Sequence, residues 1–511
     1  MPRPMPYLGH HRVAIVGSGF SGLGMAIRLK QEGIEDFVVL ERADDLGGTW
    51  RDNTYPGCAC DVPSHLYSFS FAPNPEWSRT FSGQAEIWGY LRRVAREHAI
   101  DPHIRYRHEV TAARWDSTQE VWQIETSTGE LDADMLVIGA GPLAEPKLPE
   151  IDGLEQFAGD IFHSAQWNHE QPLDGKRVAV IGTGASSIQL VPQIQPKVGR
   201  LHVFQRTPPW IVPQRDRSIT ALERRLYRAF PLAQKLVRGV IYAARELYVL
   251  PFMRPRDGSP PERVARRHLQ RQVADTRLRT RLEPHYRIGC KRILISDSYY
   301  PALQQPNVEL VTDPIARVTE HGIVTADGTE RELDTIVLGT GFHAADFPFG
   351  ARVHGPDGRS LNDVWQGSPQ AYQGTTVSGF PNMFLLVGPN TGLGHNSIVF
   401  MIESQLEYVL ECLRRLQRGR LDVIEVREHA ERSYNEQIQR RLAPTVWNSG
   451  GCASWYIDEN GKNTTIWPGS TWPFRRRLSR FRMGDHELRP RVGTRASKST
   501  SDTAGAEMLT R

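Results

Sequence analysis

Four times along the chain a short apolar run ends in glycine. RVAIV at Arg12–Val16 leads into GSGFSG, Gly17 to Gly22. RVAVI at Arg177–Ile181 leads into GTGASS, Gly182 to Ser187. DMLVIGAG (134–141) and DTIVLGTG (334–341) repeat the theme. Runs of this length, rich in valine and isoleucine and closed by glycine, read as buried strands. After the first, the pattern turns helical over Gly24–Lys30, and DFVVL at Asp36–Leu40 reads as a second strand. After the second comes LHVFQ at Leu201–Gln205. A repeated strand–helix–strand unit with a glycine-rich turn predicts an α/β fold with two Rossmann-like dinucleotide-binding domains.

The remaining pattern divides the chain. Residues 1–145 form the first part of one nucleotide domain, and 146–334 form the other. Within it, about 217–285 is an Arg-rich helical insertion. Residues 335–485 return to the first domain. Residues 486–511 are polar and aperiodic and read as a disordered tail.

Composition narrows the picture only where it excludes. Lys+Arg 62 against Asp+Glu 58 gives a net charge of +4, too balanced to point to nucleic acid. No apolar run reaches the ~18 residues that a transmembrane helix requires. The N-terminus lacks the apolar core of a signal peptide. The most apolar helical stretch, Leu236–Met253, is interrupted by Arg238, Arg245 and Glu246. It reads as a packed amphipathic helix, with membrane-surface contact the weaker reading. Five scattered cysteines form no disulfide framework, and Cys58 and Cys60 do not have a zinc spacing. A cytoplasmic setting is expected.

The glycines carry the first chemistry. Gly17 permits the tight turn, Gly19 lets backbone approach a pyrophosphate, and Gly22 lets helix and strand pack closely. Glu41 closes the second strand about 20 residues later, where an acid meets a ribose hydroxyl. The second cradle has Gly182 and Gly184, with Ser187 in place of the third glycine. At the ribose position stand Arg206 and Thr207. An arginine there suits a 2′-phosphate, so NADPH is expected over NADH. A solvated strand-end charge is the bland alternative for Arg206.

Between the cradles lies GGTWRDNTYPGCACD, Gly47 to Asp61. Its Gly47, Gly48, Trp50, Tyr55, Pro56, Gly57 and Asp61 match the long fingerprint [A/G]-G-x-W-x4-[F/Y]-P-[G/M]-x3-D of the Baeyer–Villiger monooxygenases. Phe157, Gly159, His163 and Trp167 match a second family signature, which Asn168 leaves at its last position. GCKRILISDSYY, Gly289 to Tyr300, resembles the segment that carries the family's active-site arginine. The resemblance covers roughly residues 10–480.

That resemblance implies an enzyme using FAD and NADPH, a ketone and O2, to make an ester or lactone through a flavin C4a-peroxide. It implies FAD contacts at Gly17, Gly19, Phe20, Gly22, Glu41, Gly48, Thr49, Trp50, Asp61, Tyr67 and Val110. It implies NADP contacts at Gly182, Gly184, Ser186, Ser187, Arg206, Thr207, Lys291, Arg292 and Trp455. It implies Arg292 as the catalytic cation and Asp61 as its orienting carboxylate. Taken singly, Asp61 could satisfy a turn, Arg292 could be a surface charge, and Val110 and Trp455 could be core residues. GPNTGLGHNS, Gly388 to Ser397, resembles a return loop beside the flavin. His163 reads as a hydrogen-bonded linker residue rather than a base. The same cofactors would also serve oxygenation of a sulfide or amine, a reductase releasing hydrogen peroxide, or a flavoprotein scaffold without turnover.

Overall fold

A computed structural model describes residues 5–491. The strand Tyr7–Val16 lies at the centre of an eight-stranded sheet, parallel to Phe37–Leu40 on one side and Glu130–Ile138 on the other. Their inner residues are fully buried, as continuous apolar strands between helical layers must be. The helix Phe20–Gln31 crosses between the first two strands. A β-meander, Val110–Asp116, Val121–Thr126 and Glu130–Ile138, extends the sheet. The strand Met383–Leu385 returns to pair with Glu130–Ile138.

The second sheet is wholly parallel, in the order Val308–Val311, Arg200–Phe204, Arg177–Ile181, Thr335–Leu338, Asp160–His163. The chain therefore leaves this sheet after Leu338, not before Thr335 as the expected boundary had it. The run DTIVLGTG supplies the sheet's own last strand.

Two crossing segments join the halves. Pro146 and Phe342 form an antiparallel bridge, with Lys147 N donating to Gly341 O at 2.9 Å and His343 N to Glu145 O at 3.0 Å. His163 is buried beside this junction. Its Nδ1 accepts from Ala165 N at 3.1 Å and its ring meets Phe342 edge-on.

The expected insertion is helical, with Ala221–Ala229, Pro231–Leu247, Pro260–Gln272 and Thr276–Leu282. The expected tail begins too early: His486–Arg489 is a strand antiparallel to Val423–Val426. A buried His486 on that strand, bonded to Tyr408, anchors it. The rest of the expected tail, 492–511, lies outside the described residues.

Candidate active site

The first glycine turn forms because side chains have no room there. Gly17 has φ +88°, and a Cβ on it would lie 2.8 Å from Gly139 O. A Cβ on Gly22 would lie 1.8 Å from Gly17 O, so helix and turn touch backbone to backbone. The helix starts after Gly19, whose lack of a side chain leaves the first N–H groups without a cap. Such an end attracts an anion, which fits a pyrophosphate. The Glu41 carboxylate is buried at the edge of this turn. It accepts from Ser18 N at 3.0 Å, Ser18 Oγ at 2.6 Å, Ala43 N at 3.0 Å and Arg51 Nη1 at 2.8 Å. Burial opposes its charge, but Arg51 and these donors hold its pKa below the usual carboxylate value.

The loop that follows packs on this turn. Gly48, at φ +52°, stands so close to Gly19 that a Cβ would come within 3.3 Å of Gly19 Cα. Thr49 opens the one-turn helix Thr49–Asp52. Trp50 is buried, donates from Nε1 to Tyr67 OH at 3.1 Å, and meets that ring edge-on. The Phe20 ring lies 5.1 Å from the same tyrosine. Phe20, Trp50 and Tyr67 thus form one aromatic wall. Val110 is buried at the start of its strand, and its carbonyl accepts from Arg352.

The loop then reaches the second nucleotide unit. Tyr55 OH donates to Gln189 Oε1 at 2.9 Å, and Gln189 Nε2 donates to Ala59 O at 3.0 Å. Gln189 lies on the helix Ala185–Ile194, which follows the second glycine turn. Gly57 lies so near that helix that a Cβ would come within 2.7 Å of Gln189 O.

Asp61 ends the loop. It receives Arg292 Nε at 2.7 Å on one oxygen and Arg292 Nη2 at 2.6 Å on the other. This is a two-pronged pair. Burial disfavours the Asp61 charge, but Arg292 outweighs it and lowers the pKa. Arg292 in turn is held more firmly charged by Asp61. The two line a small cavity of about 60 Å³, together with Arg245, Tyr248, Leu393 and His395. The side chains keep 36% and 22% exposure, so the pair is reachable.

The second cradle repeats the first. Gly182 has φ +111°, and a Cβ would lie 2.4 Å from Gly339 O. A Cβ on Gly184 would meet nothing within 4 Å, which leaves space over the helix end. Ser187 is fully buried, with its hydroxyl where a Cβ on Gly339 would be, 2.1 Å away. It packs helix on strand, the task expected of the missing glycine. Ser186 lies beside Tyr55. Thr207 O accepts from Thr183 Oγ1 at 3.1 Å. Lys291 is half-buried, its pKa lowered by burial and by the charge of Arg206. Among the described residues neither cation has an acidic partner. Two like charges held together without an acid fit an anionic group such as a phosphate.

Trp455 is 47% exposed and stacks edge-on against Tyr456. Tyr456 is buried within the electrostatic reach of Arg292 and Asp61. Cys452, three residues before Trp455, forms a disulfide with Cys290, which directly precedes Lys291. Sequence reading had left all cysteines unpaired; a separation of 162 residues gave no pairing signal. Arg245, Tyr248 and Tyr456 were also missed as site residues. The signal for Arg245 was present, since it interrupts an otherwise apolar stretch.

Comparison with known proteins agrees with this geometry. The family model for flavin-binding monooxygenase-like proteins matches residues 10–353. A Baeyer–Villiger monooxygenase of Streptomyces coelicolor is 52% identical over 501 residues, covering 98% of this chain and 96% of the relative. One from Pseudomonas aeruginosa is 50% identical over 491 residues, covering 95% and 93%. Cyclohexanone monooxygenase from Rhodococcus sp. Phi1, solved with NADP+, superposes with a TM-score of 0.84 at 28% identity, covering 94% of this chain and 99% of that one. The OTEMO complex with FAD and NADP superposes at 0.82 and 26%, covering 94% and 99%. The chain belongs to the Baeyer–Villiger monooxygenases, enzymes built on FAD and NADPH.

Proposed function

We propose that this enzyme inserts one atom of O2 beside the carbonyl of a small ketone, with Arg292 as the catalytic cation and Asp61 as its positioning residue. The balance is ketone, O2, NADPH and a proton giving ester or lactone, water and NADP+. Bound FAD, reduced by NADPH, supplies the activation of oxygen. The observation that carries the assignment is the two-pronged Arg292–Asp61 pair lining a cavity where both nucleotide units meet.

The chain's own part is binding, orientation and charge. Gly17, Gly19, Gly22 and Glu41 would hold the ADP half of FAD, with Gly48, Thr49 and the wall of Phe20, Trp50 and Tyr67 beyond it. Val110 would pack near the adenine. Gly182, Gly184 and Ser186 would seat the NADP pyrophosphate, while Ser187 supports that turn by packing. Arg206, Lys291 and Thr207 would bind around the 2′-phosphate and its ribose, and Trp455 would cover the nicotinamide side.

Negative charge builds on the former carbonyl oxygen as the ketone is attacked. A guanidinium stays charged when desolvated and presents fixed donors to such an oxygen. Asp61 fixes its rotamer, so little reorganisation is needed during reaction. Arg245 adds a second cation at the same cavity; burial lowers its pKa while Asp61 opposes that effect. Among the described residues no helix is long and apolar enough to cross a membrane. The requirement for NADPH favours a cytoplasmic setting.

The test is turnover of a ketone panel under ¹⁸O2. One labelled oxygen per ester, with one NADPH consumed, supports the proposal. Label found only on added sulfides, or only in hydrogen peroxide, refutes it.

A further inference from the structure

The helix Pro231–Leu247 is apolar on two sides: Ala233, Val237 and Ile241 pack on the core, and a second apolar row faces away from it. Its polar row, at four-residue spacing, faces the protein. Gln234 Nε2 donates to Asn74 O at 2.6 Å, and Arg238 Nη1 to His65 O at 2.7 Å. Tyr242 OH lies 2.8 Å from Thr471 Oγ1. Glu246 accepts from Thr471 N and Oγ1, each at 2.8 Å, and from Asn396 Nδ2 at 2.5 Å. The second apolar row faces out. Leu232, Leu236, Val240 and Leu247, joined by Leu250 and Trp472, are each between 62% and 72% exposed. A helix on a water-facing surface keeps its outer row polar. Tyr242, Leu247, Leu250 and Trp472 line an open groove of about 500 Å³. A contiguous patch of this kind marks a contact surface.

We infer that this face docks on an anionic lipid bilayer. Cations flank it: Lys235 on the helix itself, Arg225 on the preceding helix, and Arg475 and Arg476 beyond Trp472. Among the described residues none of the four has an acidic partner. Apolar side chains beside cations without acidic partners, with tryptophan at the margin, match the boundary of acyl chains and phosphate headgroups. A second copy would oppose like charges across the patch.

Docking there has a consequence for the substrate, resting on the ketone monooxygenase reading above. One helical turn gives Glu246 and Leu247 to the outer groove and Arg245 and Tyr248 to the catalytic cavity. The bilayer would thus lie against the cavity wall, and a ketone that partitions into lipid would reach the site by that side.

Co-sedimentation of FAD-loaded protein with vesicles tests the docking independently of the chemistry. Equimolar phosphatidylcholine and phosphatidylglycerol should pull the protein down, and phosphatidylcholine alone should bind it about tenfold less. Raising salt to ~0.5 M should weaken binding. The double substitution Leu236→Glu and Val240→Glu should abolish it, while ester formation from a short, water-soluble ketone stays unchanged. Wild-type protein left in the supernatant, or sedimentation unaffected by the substitutions, would overturn the inference. So would a dimer in size-exclusion chromatography that the substitutions split. Loss of ketone turnover by the wild type would instead strike the functional reading and leave the docking result standing.

Discussion

Arg292 and Asp61, 231 residues apart in the chain, are joined by two hydrogen bonds of 2.7 and 2.6 Å. The glycine–tryptophan loop brings the acid and the segment after the helical insertion brings the arginine. Asp61→Asn keeps the shape but removes the charge that fixes the guanidinium. Ester formation should fall by about 10- to 100-fold, as for a misplaced catalytic group, with FAD content unchanged. Steady-state ester rates alongside the flavin absorbance check this.

Arg206 and Lys291 lie close enough that one lowers the pKa of the other. Removing either relieves that repulsion but loses a charge-assisted contact, each about 1.5–3 kcal/mol. Arg206→Ala should raise KM for NADPH about 10- to 100-fold and barely change KM for NADH. Equal effects on the two would remove the 2′-phosphate from the account.

At Gly22 the obstacle is backbone, 1.8 Å from where a Cβ would be. Neither helix nor turn can yield without separating. Gly22→Ala should cost on the order of 1–3 kcal/mol and yield protein poor in FAD. Flavin content and Tm of the purified variant are the readouts, and a normal FAD load would argue against the close packing.

Glu431 gives a pH dependence away from the site. Its carboxylate accepts from Ser378 N at 2.6 Å, yet burial pushes its pKa up to about 7. The folded chain thus holds a proton that the unfolded chain releases near the ordinary value of 4.5. That contribution is complete below 4.5 and is lost as pH rises through about 7. Tm should fall between pH 5 and 8 by about 1–3 °C from this group, and Glu431→Gln should flatten that fall.

The two glycine turns, their strands and the Asp61 loop were legible in the sequence because each is a local pattern set by steric need. The proposal for Arg206 comes from its fixed distance from a glycine turn. The Cys290–Cys452 bond, and the approach of Tyr456 to Arg292, depend on chain segments that local pattern does not relate. Ser187 shows a finer limit. The resemblance counts it among the NADP contacts, while its spacing gives it the packing place of the third glycine, where it lies buried against Gly339. The stretch Leu236–Met253 was read as a packed amphipathic helix, with membrane-surface contact the weaker reading, since periodicity does not show which rows face the protein.

The central claim is that Arg292 stabilises the charge formed during oxygen insertion. Arg292→Ala, loaded with FAD, should be mixed with NADPH, O2 and a ketone, and ester and hydrogen peroxide counted per NADPH consumed. The account predicts flavin reduction that persists, ester reduced by at least about 100-fold as for a lost oxyanion donor, and peroxide in its place. Ester formed at the wild-type rate would contradict it.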